Sequence, residues 1–401
     1  MRSQHPWSAD YPFLSFDFNA RKIPPRSWAL LGECSSKIEH VMGTPLQRDV
    51  ADELNKIFLA RGAHGTTAIE GNTLSEAQVK RRVDGDLHLP PTQEYLGKEV
   101  DNVLAAYDFL LRQLDQGVPI HLRPEDLKQM NRLVLDGLGV EEGVVPGEYR
   151  EGRVGVSDYL SPERKHLEEM VSLGCAWLNH DTWGKEYGGP FVIPILRAIL
   201  SHLYIAWMHP FGDGNGRTAR LVEFDLLIRA GVPIACAHLL SDHYNKTRTM
   251  YYRALSAARE DPAAFVCYAI EGLRDMLREQ IDVIRTQQIG VTWTNYIYSA
   301  FRTREESVTA KRRRDLALAL GAIDGAVSMD KLTTLTPKLA QAYHQRTYRT
   351  LQRDVMALVE QHLLVPSAKG VRANLGLVRA FMPAKGAALQ PEESERRGPG
   401  R

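Results

Sequence analysis

Between residues 209 and 220 the chain reads His209-Pro210-Phe211-Gly212-Asp213-Gly214-Asn215-Gly216-Arg217-Thr218-Ala219-Arg220. The glycines Gly212, Gly214 and Gly216 let the backbone take left-handed angles and approach a ligand closely. Where such a loop opens a helix, the exposed amides and the dipole make an anion site, and phosphate is the usual occupant. Arg217 and Arg220 lie three apart on one helical face and add forked donors for phosphate oxygens. Asp213 supplies the carboxylate that a divalent ion bridging phosphates requires. His209 can accept a proton near neutral pH. Base, metal carboxylate, phosphate nest and paired arginines together point to phosphoryl or nucleotidyl transfer. A lone Gly-x-Gly after a histidine would read as an ordinary turn, but this window carries too many functional types for that.

Such a loop needs rigid flanks. Before it, Phe191 to Met208 is apolar on nearly every side of a helix; after it, Leu221, Val222, Phe224, Leu226, Leu227 and Ile228 repeat the pattern. A helix apolar all round belongs in a core, so the loop is held from both ends. Pro210 and Phe211 read as anchors into that core. A second constellation, Thr66-Thr67-Ala68-Ile69-Glu70-Gly71-Asn72, closes a long helical stretch, with Gly71-Asn72 as its stop signal. Glu70 then sits in the last turn, where the dipole disfavours an anion, and its carboxylate wants a cation.

Both strings resemble signatures of the Fic family. The loop matches H-P-F-x-[D/E]-G-N-G-R-x-x-R without departure, and Thr66–Asn72 resembles the family's inhibitory motif in the subclass with an N-terminal inhibitory helix. The resemblance implies transfer of AMP from ATP to a Tyr, Thr or Ser hydroxyl of a target protein. His209 would take the hydroxyl proton, and Asp213 would hold Mg²⁺ or Mn²⁺. Gly212, Gly214, Asn215 and Gly216 would donate to phosphates, Arg217 would bind the β-phosphate and Arg220 the γ-phosphate. Glu70 would pair with Arg220 and turn the nucleotide away from in-line attack. The extended segment Gly152-Arg153-Val154-Gly155-Val156-Ser157 resembles the family flap, which pairs with a target by strand addition. Ser241–Asn245 and Tyr251-Tyr252-Arg253 fall where the family builds its base pocket. Kinase-like transfer, as in the death-on-curing toxins, goes with lysine where Gly216 stands. Removal of AMP, with Glu70 orienting a water, stays open as the reverse direction; so do self-modification and a homodimer.

The rest of the chain fits an enzyme of the mainly α class. Its 401 residues are 44% hydrophobic and 25% charged with net charge +1, which argues against whole-chain attraction to nucleic acid or anionic membrane. The opening residues are no signal peptide, and no apolar run is long enough to span a bilayer, so the cytoplasm is the expected compartment. Cys34, Cys175, Cys236 and Cys267 lack metal-type spacing and read as reduced. Residues 1–25 read as an arm packed on the body, and 26–290 as one helical domain with a small hairpin flap. Within it the periodicity predicts helices at Trp28–Val41, Pro45–Ile69, Glu94–Gln116, Pro124–Gly137, Leu167–Trp177, Arg248–Arg259 and Ala263–Ile284.

Residues 291–384 resemble a winged helix-turn-helix. Ser328 can cap a helix from Met329 to about Leu335, Pro337 opens a turn, Thr347–Leu363 is amphipathic, and a hairpin follows. Arg346, Arg349 and Arg353 would form a stripe on the second helix, with Lys311–Arg314 adding charge, which raises DNA as a partner. Asp354 and Glu360 interrupt the stripe and favour a protein-interaction module. Residues 385–401 read as a disordered tail.

Overall fold

The computed structural model describes residues 5–44, 48–117, 121–156, 159–180, 189–302 and 307–378. The chain forms two compact units, divided between Asp282 and Val283. Ser157, Pro45 and the 385–401 tail, all named above, lie outside the described residues.

In the first unit the helices run α1 (Pro25–Met42), α2 (Arg48–Ile69), α3 (Glu76–Val83), α4 (Glu94–Asp115) and α5 (Pro124–Leu135). A two-stranded hairpin follows, β1 (Gly155–Val156) and β2 (Tyr159–Leu160), antiparallel with Gly155 opposite Leu160. Then come α6 (Arg164–Leu178), α7 (Val192–Met208), α8 (Asn215–Arg229), α9 (Ile234–Ala237), α10 (Leu239–Lys246), α11 (Arg248–Ala257) and α12 (Pro262–Phe301). α7 and α8 are buried along nearly their whole lengths and form the centre of one continuous core. Trp7, Tyr11 and Leu14 of the N-terminal arm are buried in that same core.

Local chemistry sets the helix ends that matter for the loop. α2 stops at Gly71, whose φ of +103° no β-carbon would favour. α3, which the periodicity missed, begins in a capping box: Ser75 Oγ accepts from the Gln78 amide and the Gln78 side chain accepts from the Ser75 amide. α5 starts at Pro124 with Glu125 and Asp126 in its first turn, as expected. α2 lies close against α10: a β-carbon on Gly65 would stand 3.2 Å from the backbone of Ser241 and Asp242.

The second unit has its own core. The second half of α12 contributes Trp293, Ile297 and Phe301 to it, which is why the division falls inside that helix. α13 (Val308–Gly321), α14 (Pro337–Tyr343) and α15 (Tyr348–Glu360) precede the antiparallel strands β3 (Leu364–Ser367) and β4 (Gly370–Ala373). Val327 pairs with Val371 through both backbone hydrogen bonds, adding a third short edge to the hairpin. Three local expectations are corrected. The stretch after Ser328 forms only a turn and a 3-10 segment at Leu332–Thr334, and Pro337 opens a helix capped by Thr336. Arg346 precedes α15 and is not part of it. Lys311–Arg314, read as adding charge, lies in α13, where Arg312 Nε and Arg313 Nε donate to Asp354 at 2.6 and 2.8 Å.

Candidate active site

α7 ends on His209, which takes left-handed angles (φ 46°, ψ 58°) while its amide still donates to Ile205 O. A non-glycine residue there costs about 1–2 kcal/mol, so the neighbourhood must hold it. Pro210 and Phe211 are buried beneath it, as expected. Tyr149 forms an antiparallel bridge with Phe211. The Asn215 carboxamide clamps the turn from the far side: its Oδ1 accepts from the Phe211 amide at 2.9 Å and its Nδ2 donates to Phe211 O at 2.8 Å. The side chain expected to reach phosphate is thus engaged inside the loop, and what Asn215 presents at the start of α8 is its backbone amide. Gly214, with φ +74°, packs where a β-carbon would meet Asn131 Nδ2 at 3.0 Å. Asn131 in turn donates to Asp213 O and Thr218 Oγ1 and accepts from the Gly147 amide. Gly212 packs on Val144, 2.8 Å from where its β-carbon would be.

Beyond the loop the two arginines differ. Arg220 is buried and held entirely by the end of α2: Nη2 donates to Glu70 Oε1 at 2.6 Å and to Thr66 O at 3.0 Å, and Nε donates to Thr66 Oγ1 at 2.7 Å. Burial by itself lowers the Arg220 pKa, but the Glu70 carboxylate outweighs it and the net shift is upward. Burial likewise raises Glu70, and Arg220 outweighs it, leaving the carboxylate below its ordinary range. Glu70 also lies over the first turn of α8, since a β-carbon on Gly216 would come within 2.2 Å of its Oε1. Arg217 faces Asp213 at 3.2 Å and Glu99 at 3.8 Å, and Glu99 is steadied by Asn72 Nδ2 at 2.8 Å. Nε and Nη1 of Arg217 and Nη1 of Arg220 are buried with no hydrogen-bond acceptor among the described residues. Buried unsatisfied donors are rare, and three of them beside a helix N-terminus suit an anion.

His209 is the third component. Burial, with a contribution from Arg150, pushes its pKa down to about 4, against a weaker raising effect of Ala206 O, Glu70 and Asp213. Its Nδ1 faces Ala206 O at 3.4 Å. A proton on Nδ1 leaves the lone pair on Nε2, the tautomer a base needs. Asp213 is half-exposed, and among the described residues no three His, Cys, Asp or Glu side chains cluster as a metal site. One carboxylate is enough for Mg²⁺ when phosphates supply further oxygens, so the donor set fits that ion.

The hairpin adjoins this centre, but not as expected at Arg153. Its guanidinium turns back to Ser161 O at 2.8 Å and to the Tyr11 hydroxyl, bracing the hairpin instead of facing a target. The Val154 amide donates to Ser161 Oγ, and Val154 O accepts from the Ser161 amide. Gly155 and Val156 form β1. Ser241, Asp242 and Tyr244 are buried, Tyr244 donating to Glu223, so Ser241–Asn245 is largely core and not a base pocket. Tyr252 and Arg253 do line a cavity of about 740 Å³, with Pro12, Phe13, Ser256 and Arg259. Tyr252 Oη reaches Ile69 O at 3.4 Å, beside Glu70.

Residues 121–227, which contain α5 to α7, the loop and all but the last two residues of α8, match the Fic/DOC family. The chain carries a Fic domain. Similar curated proteins are the protein adenylyltransferase fic-1 of Caenorhabditis briggsae, 30% identical over 223 residues (55% of this chain, 41% of that one), and the protein adenylyltransferase Fic of Nematostella vectensis, 33% identical over 172 residues (42% and 37%). The chain therefore spans about two fifths of the length of these curated relatives. A Fic family protein from Desulfovibrio desulfuricans G20 shares the fold at 22% identity, with a TM-score of 0.53 over 87% of this chain and 93% of its own. Residues 134–508 of Caenorhabditis elegans Fic-1 align at 25% identity and TM-score 0.51, over 65% and 73%. The mainly α class expected from the sequence agrees with these Fic-fold neighbours.

Proposed function

We propose that this protein transfers AMP from ATP to a side-chain hydroxyl of a target protein and that Glu70 restrains the reaction. The observation that carries the reading is a neutral, half-buried imidazole beside a helix N-terminus whose arginines keep unsatisfied donors. His209 Nε2 takes the proton of a Tyr, Thr or Ser hydroxyl as its oxygen bonds to the α-phosphorus; the bond to the bridging oxygen breaks and pyrophosphate leaves. The amides of Asn215 and Gly216 and the guanidinium of Arg217 hold the phosphate chain, whereas the Gly214 amide, expected to join them, donates to Asp213 Oδ1; positioning and charge do most of the catalysis. Asp213 would hold Mg²⁺, or Mn²⁺, which when bound neutralises charge shared by the α- and β-phosphates. The cavity beside Tyr252 and Arg253 takes the base, and the open edge of Gly155–Val156 receives the target backbone.

Glu70 and a γ-phosphate are both anions and compete for Arg220. Glu70 orienting a water for AMP removal uses the same geometry in the reverse direction. Incubation with α-labelled or γ-labelled ATP tests the class: α label on protein that depends on His209 is the expected outcome, and γ label would mean kinase chemistry. The unpaired, mostly buried cysteines fit a reducing compartment such as the cytoplasm.

For the second unit a specific observation favours duplex DNA as partner. Asp354, expected to interrupt the basic stripe, is buried and paired inside. The exposed face of α15 then carries Tyr348, Arg349, Gln352, Arg353 and Met356, with Glu360 as an exposed acid only at its last residue, and residues 307–378 hold eleven Lys and Arg against five Asp and Glu. A gel shift across salt concentrations should show binding that weakens steeply with salt and is reduced in Arg349→Ala/Arg353→Ala. Absence of salt-sensitive binding would point to a protein partner instead, and binding unchanged by the double substitution would place the DNA contact off the face of α15.

A further inference from the structure

The last turn of an α-helix leaves carbonyls without partners inside the helix. At the end of α7 these belong to the residues that lead into the base, and the hairpin segment claims them. Tyr159 Oη donates to Trp207 O at 2.7 Å. Arg150 Nε donates to His209 O at 2.8 Å, and its Nη2 lies 3.5 Å from Met208 O. The same guanidinium holds both stems of the hairpin, with Nη1 donating to Gly152 O at 2.8 Å and Nη2 to Pro162 O at 2.6 Å. Its own amide donates to Pro210 O at 3.0 Å.

Arg150 is 5% exposed and forms no ion pair with a carboxylate among the described residues. A buried cation without an acid is unfavourable. Here carbonyl dipoles, including the negative end of α7, take the acid's place. The planar fork spreads its donors over three nitrogens and so spans carbonyls on three separate segments; an ammonium, with its three donors on one nitrogen, does not cover the same separation. The cost is therefore accepted for geometry.

We propose that Arg150 is a positioning residue that locks the end of α7 bearing His209 to the two stems of the 152–162 hairpin, so that the base and any chain laid on the hairpin share one frame. Its catalytic consequence rests on the transferase reading; its structural consequence does not. Hydrogen exchange of the full chain tests the latter. Arg150→Lys keeps the charge and loses the fork, and is expected to speed exchange at least fivefold at both the Ser161 amide (bonded to Val154 O) and the His209 amide (bonded to Ile205 O), with α4 and α5 unchanged. Tyr159→Phe, which removes the hydroxyl that donates to Trp207 O and lies 3.5 Å from Ala206 O but leaves the Arg150 fork in place, should move the same two amides by a smaller factor. A change at one amide alone, or at neither, overturns the proposal. In a Glu70→Gly background, Arg150→Lys should lower AMP transfer tenfold or more while ATP affinity stays within twofold. An equal loss of ATP affinity overturns the positioning role. Absence of any transfer in Glu70→Gly itself would instead count against the transferase reading and leave the exchange result to decide.

Discussion

Replacing Glu70 with Gly isolates the restraint. The substitution removes one charge-assisted hydrogen bond of 2.6 Å between a side chain 32% exposed and one 1% exposed. Such bonds contribute roughly 1.5–3 kcal/mol, and breaking a fully buried pair costs about 3–5 kcal/mol. The partial exposure of Glu70 and the two Thr66 hydrogen bonds that still hold Arg220 bring the expected loss of stability to about 2 kcal/mol. For a unit of this size that is a fall in Tm of about 3–4 °C. A freed Arg220 can then bind the γ-phosphate with an interaction of similar strength, about 2–3 kcal/mol, which corresponds to a gain of roughly 30- to 150-fold in AMP transfer. Two assays read this: incorporation of α-labelled AMP, and the rise in Tm on adding ATP, which should be larger in Glu70→Gly than in the unaltered protein. Glu70→Gln keeps a hydrogen bond and loses the charge, so it should fall between them. A Glu70→Gly protein whose transfer rate stays within threefold of the unaltered one, with an equal ATP-induced rise in Tm, would refute the argument. So would a Gln variant as restrained as the original, because competition between anions would then not be the cause.

Three further outcomes follow from the same geometry. His209, held down to about 4, binds its proton more weakly in the folded state than in the unfolded chain, so its contribution to stability is full above about pH 6.5 and is lost as pH falls toward 4; urea melts at pH 4.5 and 7 should differ by about 2–3 kcal/mol more in the unaltered protein than in His209→Ala. Asn215→Ala strips both partners from the buried Phe211 amide and carbonyl and should cost about 2–4 kcal/mol in the same melts, with weaker ATP binding; a loss under 1 kcal/mol would mean that the clamp is dispensable. Gly216→Ala drives a β-carbon to 2.2 Å from Glu70 Oε1, so it should destabilise the unaltered protein by about 1–2 kcal/mol and the Glu70→Gly protein much less. Additive effects in that double-mutant cycle would contradict the placement of Glu70 over the first turn of α8.

Residues close together in the chain were legible before any fold was known. The loop from His209 to Arg220 is one contiguous string between two apolar helices, and its glycines, arginines and acid declare their chemistry by type and spacing. Glu70 was legible as a carboxylate at a helix end that needs a cation. Most helices with strong periodicity were found to within a few residues, but α12 runs on to Phe301, well past the expected end at Ile284, and α3, set by a short capping box, was not found. The tertiary structure decided what lies opposite each of these groups. Arg150 precedes His209 by 59 positions and has no motif of its own; only folding shows that its fork closes on the end of α7. Thr66 stood in the quoted segment, yet its two bonds to Arg220 across 154 positions have no sequence signal. Asn215 and Arg153 had the right types for ligands but turn their side chains inward, onto Phe211 and Ser161. In the second unit Asp354 read as an interruption of a basic face and proved to be the buried partner of Arg312 and Arg313. The physical reason is common to all of them. Spacing along a chain fixes which residues share a face of one element, but the polar partner that a buried group finds depends on which distant segment packs against it, and that is settled only when the whole core closes.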